Sequence, residues 1–506
     1  MRPMLRKVKT ENGWVRGTPA ADPRITAFKG IPFAAPPVGE NRWRAPQPAK
    51  DWDGELKCYR FAPIPMQDTP GVGEGLYDRE WHVDPEIEMS EDCLYLNIWT
   101  PAHTAEEKLP VVVWYFGGGL QWGYTAEMEF DGERVARRGI VVVSVGYRLG
   151  AFGFLAHPEI TAEAPDAPTN FGSLDQQAGL KWVRRNIAAF GGDPDNITIS
   201  GQSAGGGSVM SQMTCPDNFG LFKRAIVQSA MIRSPYGMGG IGHPNDLANA
   251  EKNGVKFFEC LGVKTLAEAR ALDPVFIKHK YAEFAQTNPR FFSVEDGKFC
   301  VGDPIKLYCE GKHADVDVMA GNTADEFLSF LHAESDYEGA VRKIFGDRAD
   351  AFLALPEAKT TDGRGNYAFV SGIECTCKAA FERDIESGGK RNHYYYCFDV
   401  PMPGDDNPGS FHSSELWFYF ETLAKCHRPF TGKYYDLARH MCNYWCNFIK
   451  CGDPNGKDID GTDMPKWEKY TKETDGGVRF TPDGTVPTDP TGDFKRLLID
   501  HIKDSI

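Results

Sequence analysis

Residues 196–210, Asn-Ile-Thr-Ile-Ser-Gly-Gln-Ser-Ala-Gly-Gly-Gly-Ser-Val-Met, constrain the fold more than any other stretch of the chain. Ile197 and Ile199 flank Thr198 in the alternation of a short buried strand, and the small residues after Gly201 open a helix. The corner between them, Gly201-Gln202-Ser203-Ala204-Gly205, has the G-x-S-x-G form of a strained strand-to-helix turn that pushes a serine oxygen into a cleft. A side chain at 201 or 205 would collide with the elements that so sharp a reversal brings together. At a helix N-terminus Ser203 also has free backbone N–H groups beside it, that of Ala204 among them, aimed at any negative charge forming there.

A strand delivered straight into a helix is one beat of a βαβ rhythm, and the rest of the chain keeps time with it. Residues 10–56 hold turn-rich, strand-like pieces. Runs apolar on both faces, 110–115 and 140–145, suit central strands covered by helices on each side, and 130–138 between them reads as helical. Residues 175–190 place Ala178, Trp182, Arg185 and Ala189 at helical spacing, and Gly191-Gly192-Asp193-Pro194 ends the helix. Later strands are expected at 222–229, 315–321 and 393–400, with a long closing helix at 434–451. The pattern predicts an α/β fold with a mostly parallel sheet in one domain, 1–506, carrying helical insertions at about 231–312 and 335–390.

Net charge enters through what it excludes. At −15 the chain would repel nucleic acid and anionic membrane alike. The first nine residues contain no apolar run of a signal peptide, and no segment approaches the roughly 18 apolar residues of a membrane span. Thirteen cysteines without an export signal are expected to be reduced thiols in the cytoplasm. Cys375 with Cys377, and Cys442 with Cys446, lack matched partners for a metal site and read as buried structural thiols. Neither a metal nor a cofactor is expected.

A serine hydroxyl is a poor nucleophile at neutral pH and needs a base within hydrogen-bond reach, itself oriented by an acid. Among the histidines after Ser203, His412 stands out in Pro408-Gly-Ser-Phe-His-Ser-Ser-Glu-Leu416, a small-residue loop between a strand and an apolar segment. His243, His313 and His501 read as surface or packing residues, and His427 and His440 as structural. Asp325 and Glu326, just past a strand and a Gly-Asn turn, are both placed to be the acid, and spacing does not choose between them. The oxyanion hole is better defined, because backbone donors approach to about 3 Å only where side chains are absent. Gly117-Gly118-Gly119 follows a buried strand, and Gly118, Gly119 and Ala204 are the expected donors.

These motifs together resemble the type-B carboxylesterases of the carboxylesterase/cholinesterase family, within the α/β-hydrolases. The resemblance covers essentially the whole chain through residues 28–39, Ser90-Glu-Asp-Cys-Leu-Tyr-Leu-Asn97, the glycine triplet, Tyr147-Arg-Leu-Gly150, Asp175-Gln176, Phe190-Gly-Gly-Asp-Pro194 and the serine turn. It implies a Ser203–Glu326–His412 triad, with Glu326 rather than Asp325 as the acid, and a buried polar network of Gln202, Ser229 and Glu415. Phe116 stands where the family has a histidine before the glycines, and Gln202 where it has a glutamate. Val83 occupies the place of the tryptophan that stacks on choline, Trp81 being two positions away. No cysteine stands near Pro65 to pair with Cys93. The expected activity is hydrolysis of small, uncharged carboxylic esters through an acyl-enzyme. The same machinery serves thioesters, lactones or amides as an alternative, and a binding-only adhesion member of the fold is the remaining one. Met231, Phe327, Trp417 and Phe418 are candidate pocket walls that fit the core equally well.

Overall fold

The computed structural model describes residues 3–232, 243–326, 336–359 and 372–506. Its main sheet takes its strands in chain order from β1 (Thr18–Pro19), β2 (Thr26–Pro32), β3 (Tyr95–Thr100), β4 (Leu109–Tyr115), β5 (Val141–Val145) and β6 (Gly192–Gln202). It continues through β7 (Arg224–Gln228), β8 (Asp317–Thr323), β9 (His393–Phe398), β10 (Val478–Thr481) and β11 (Gly484–Pro487). The spatial order is β11-β10-β9-β8-β7-β6-β4-β5-β3-β2-β1. Every pairing from β10 to β5 is parallel, while β11 and the β3-β2-β1 edge run antiparallel. A separate small sheet joins Lys7–Lys9, Trp14–Arg16 and Glu55–Lys57.

The β4 sequence shows why the sheet lies between two layers. Val111, Val113 and Tyr115 enter one core, and Val112, Trp114 and Phe116 the other, so the period of two puts apolar side chains on both faces. On the first face lie α1 (Phe171–Asn186), through Leu180 and Val183, and α2 (Ala204–Thr214), through Val209 and Met213. Between residues 243 and 312 come α3 (Leu247–Leu261) and α4 (Pro274–Phe284). Asp246 caps α3 by accepting from Asn249 N, and Asp273 caps α4 ahead of Pro274. Helix α5 (Ile373–Glu386) falls inside the expected 335–390 insertion, yet Cys377 and Phe381 pack on the sheet in the first core, so it belongs to the sheet's own layer. The second face is covered by α6 (Gly432–Cys451), through Met441, Trp445 and Phe448.

Several expectations need adjusting. Helix α1 begins at Phe171 rather than 175 and passes into a 3-10 turn at Ile187–Phe190. The 130–138 stretch is a 3-10 turn, Met128–Phe130, and a short helix, Glu133–Ala136. The expected closing helix is not the last element, because the β10–β11 hairpin and α7 (Asp493–Ser505) follow it. Met231, Trp417 and Phe418 are fully buried core residues; Phe327 lies outside the described residues. No cysteine among the thirteen is in a disulfide, Cys93 included.

Candidate active site

The β6–α2 corner is a strained point near the centre of the sheet. Ser203 has φ 56° and ψ −126°, a backbone state that a non-glycine residue keeps only when its surroundings enforce it. Its N–H is held by Gln228 O at the end of β7, 2.9 Å away. A Cβ at Gly201 would stand 2.3 Å from Gly205 O, and one at Gly205 would stand 2.0 Å from Tyr115 O. Both glycines are therefore steric requirements, as the motif implied.

The glycine triplet closes over the corner from the end of β4. A Cβ at Gly117 would lie 3.2 Å from Ser203 Cβ, and Gly118 and Gly119 take φ of 102° and 63°. Among the described residues the N–H groups of Gly118 and Gly119 have no acceptor. That of Ala204, first in its helix, has none within the helix. Phe116 explains its own presence: its ring stacks on Tyr147 at 4.2 Å, and its carbonyl accepts from the Tyr147 hydroxyl at 2.6 Å.

The base and its acid arrive from β8 and the loop after β9. His412 Nδ1 meets Glu326 Oε2 at 2.5 Å, and Glu326 Oε1 accepts from Thr323 N at 3.0 Å. Asp325 does something else, accepting from Ser410 N at 2.7 Å. It is thus Glu326 whose carboxylate meets the imidazole, and Asp325 that fastens the loop carrying it. The Tyr77 hydroxyl donates to His412 O at 2.9 Å. At the other ring nitrogen, Gln202 Nε2 lies 3.3 Å from His412 Nε2.

Ser203, His412, Ala204 and Gly117–Gly119 all open on one cleft of about 1500 Å³. Donors without acceptors, a strained serine and a carboxylate-oriented imidazole in one cavity form an arrangement suited to acyl transfer. The expected polar network is only partly assembled. Among the described residues no hydrogen bond joins Gln202, Ser229 and Glu415 to one another. Gln202 reaches His412, while Glu415 Oε1 accepts from Gln228 Nε2 at 3.4 Å. Gln228 escaped the sequence reading because it is a polar residue at the end of an apolar strand, with no spacing signal. Burial, and next the nearby Glu326, push the Glu415 carboxyl up to about 8.

Three wall residues were discounted or missed in the sequence. Trp81 lines the cleft, stacked on Tyr77 at 5.2 Å, whereas Val83 is exposed. His243, expected at the surface or in packing, is on the cleft wall and meets Asp303 at 2.7 Å. Arg290 also faces the cleft. For metals, the described residues bring together Glu80, Cys426 and His427, with donor atoms within 4.8 Å of one another. Arg428 already occupies Glu80 at 2.5 Å, so a cation there would meet a like charge. No helix among the described residues is long and apolar enough to cross a membrane.

A profile for the carboxylesterase family matches residues 5–371 and 357–493. The chain is 32% identical over 504 residues to a cholinesterase of Mus musculus, covering 90% of this chain and 81% of that one. It is 30% identical over 509 residues to the para-nitrobenzyl esterase of Bacillus subtilis (strain 168), covering 97% and 98%. Among solved structures, a Geobacillus stearothermophilus carboxylesterase superposes with a TM-score of 0.78 at 28% identity, covering 97% of this chain and 99% of that one.

Proposed function

Since the chain belongs to the carboxylesterase family, an esterase hydrolase on the α/β-hydrolase fold, we propose that it cleaves carboxylic esters through an acyl-enzyme on Ser203. His412, oriented by Glu326, takes the Ser203 proton as the oxygen attacks the ester carbonyl. The N–H groups of Gly118, Gly119 and Ala204 receive the developing oxyanion. His412 then returns the proton to the leaving alcohol, and a water activated by the same nitrogen releases the acid. The observation that carries this reading is the 2.5 Å contact of Glu326 with His412 beside a cleft that Ser203 shares.

Gln202 puts an amide where a carboxylate would favour cationic esters, so the bound ester is read as small and uncharged about the bond that is cut. The eleven-stranded sheet, drawn from residues 18 to 487, supports a single domain. Thirteen thiols without a disulfide fit a reducing compartment such as the cytoplasm. Turnover of 4-nitrophenyl esters of graded acyl length tests the reading. Burst kinetics that disappear with Ser203→Ala are expected, and equal turnover by that variant would overturn it.

A further inference from the structure

Several charges on the cleft wall are already committed to partners. Asp78 Oδ2 accepts from Gly75 N at 3.1 Å, and Glu127 accepts from Tyr124 N at 2.7 Å and faces His82 at 3.4 Å. Glu129 is buried beside Glu127, and burial with that neighbour holds its carboxyl well above the usual range. Asp68 accepts from the Trp122 indole at 3.2 Å.

Arg290 differs. It is partly buried, its guanidinium carbon sits 5.2 Å from the Trp122 ring centroid, and it lies near the Tyr281 hydroxyl. No carboxylate of the described residues lies within ion-pair distance of it. Its backbone is also fixed in place. Gln121 Nε2 donates to Phe291 O at 2.8 Å, the Tyr281 hydroxyl to Gln121 Oε1 at 2.7 Å, and Phe291 N to that hydroxyl at 3.0 Å. Beyond it, Asn170 bonds both the N–H and the carbonyl of Val294, at 2.9 and 2.7 Å. On the other side, the Trp122 ring packs against the oxyanion loop, 3.7 Å from where a Gly119 Cβ would stand. A permanent cation is thus held one indole away from an expected oxyanion donor, with N–H groups to offer.

We infer that Arg290 binds a free carboxylate carried by the ester substrate away from the scissile bond. This rests on the esterase reading and narrows its substrate class to esters that are neutral where they are cut and anionic at the far end. A guanidinium with its face on an indole presents a planar edge that matches a carboxylate in two parallel hydrogen bonds. In a molecule of net charge −15, the long-range field does not hold an anion, so a fixed local cation has to. The expectation of an uncharged ester then applies beside Gln202 and gives way at the distal group.

The carboxylate can belong to the acyl or the alcohol half, and paired substrates separate the two. The acyl arm compares 4-nitrophenyl hydrogen glutarate with its methyl ester, and the alcohol arm compares 4-acetoxybenzoate with its methyl ester. kcat and KM are measured for the wild type, Arg290→Met and Arg290→Lys. In one arm, going from wild type to Arg290→Met should cost the carboxylate substrate on the order of ten-fold in kcat/KM, mainly through KM. The methyl ester should change far less, and Arg290→Lys should keep part of the preference. Equal losses for carboxylate and methyl ester, or no loss in either arm, would overturn the assignment and leave Arg290 a prop for Trp122. Failure of the esterase reading would look different, with no turnover of either methyl ester or turnover that survives Ser203→Ala.

Discussion

Gln202 is the residue at which this chain's chemistry is most its own. With Nδ1 turned to Glu326, His412 offers its lone pair at Nε2, and Gln202 Nε2 is 3.3 Å from that nitrogen. In the proposed mechanism the same lone pair takes the Ser203 proton. An amide can turn its oxygen to the imidazolium that results, whereas a carboxylate would favour the imidazolium from the start. Gln202→Glu should therefore move the acid limb of the kcat/KM profile upward by about one pH unit, and an unmoved limb would show that residue 202 does not touch the base. Glu415 supplies a second titration. Burial holds its proton on in the folded chain up to about 8, while in the unfolded chain it ionises near the ordinary carboxylate value. The folded state then binds the extra proton, and stability falls as pH rises between those two values. Glu415→Gln should gain stability over wild type progressively from about pH 5 to pH 8, by on the order of 4 kcal/mol, as read from urea midpoints. Equal midpoints across that range would contradict it. Ser203, His412 and the glycine triplet were legible because each announces itself within a few residues of chain. Spacing did not choose between Asp325 and Glu326, since both carboxylates reach the same loop and only their directions differ; the choice of Glu326 came from the family resemblance alone. Trp81 and Arg290 carry no local signature, because what places them in the cleft is packing between distant segments.

The element that matters most is the loop bearing His412, which hangs between β9 and the residues under α6. It is tied at its start by Asp325 and at the base itself by Tyr77, from a short helix (Leu76–Glu80) more than three hundred residues away in sequence. Tyr77→Phe removes one anchor without removing the ring, and should lower kcat several-fold with KM nearly unchanged; a pure KM effect would assign Tyr77 to binding instead. The family-like motifs prove to be clamps as well. Arg148 and Asp175 form a buried pair at 2.7 Å that joins the turn after β5 to α1, and Arg42 pairs with Glu91 at 2.6 Å. Asp175→Asn leaves a buried guanidinium without its counter-charge and should cost about 3 kcal/mol, measured by denaturant unfolding; a loss below a tenth of that would mean the arginine finds another partner.

At the scale of the molecule, the parallel centre of the sheet was readable because strands apolar on both faces need cover on both sides. The antiparallel edge of β1–β3 and the terminal β10–β11 hairpin with α7 were not. The β2–β3 pairing joins residues far apart along the chain, Thr26 with Thr100, so no local pattern announces it, whereas the β10–β11 hairpin turns locally from Thr481 to Gly484 between two strands of four residues each, too short to show a period. The sheet brings residues 203, 326 and 412 together from three crossovers. The claim that a covalent acyl intermediate forms on one of them is tested most directly by reaction with a fluorophosphonate, followed by peptide mass mapping. One equivalent of adduct on Ser203, blocked by prior ester substrate and absent from Ser203→Ala, is the predicted result. An adduct on another residue, or none on protein that still hydrolyses esters, would contradict the account.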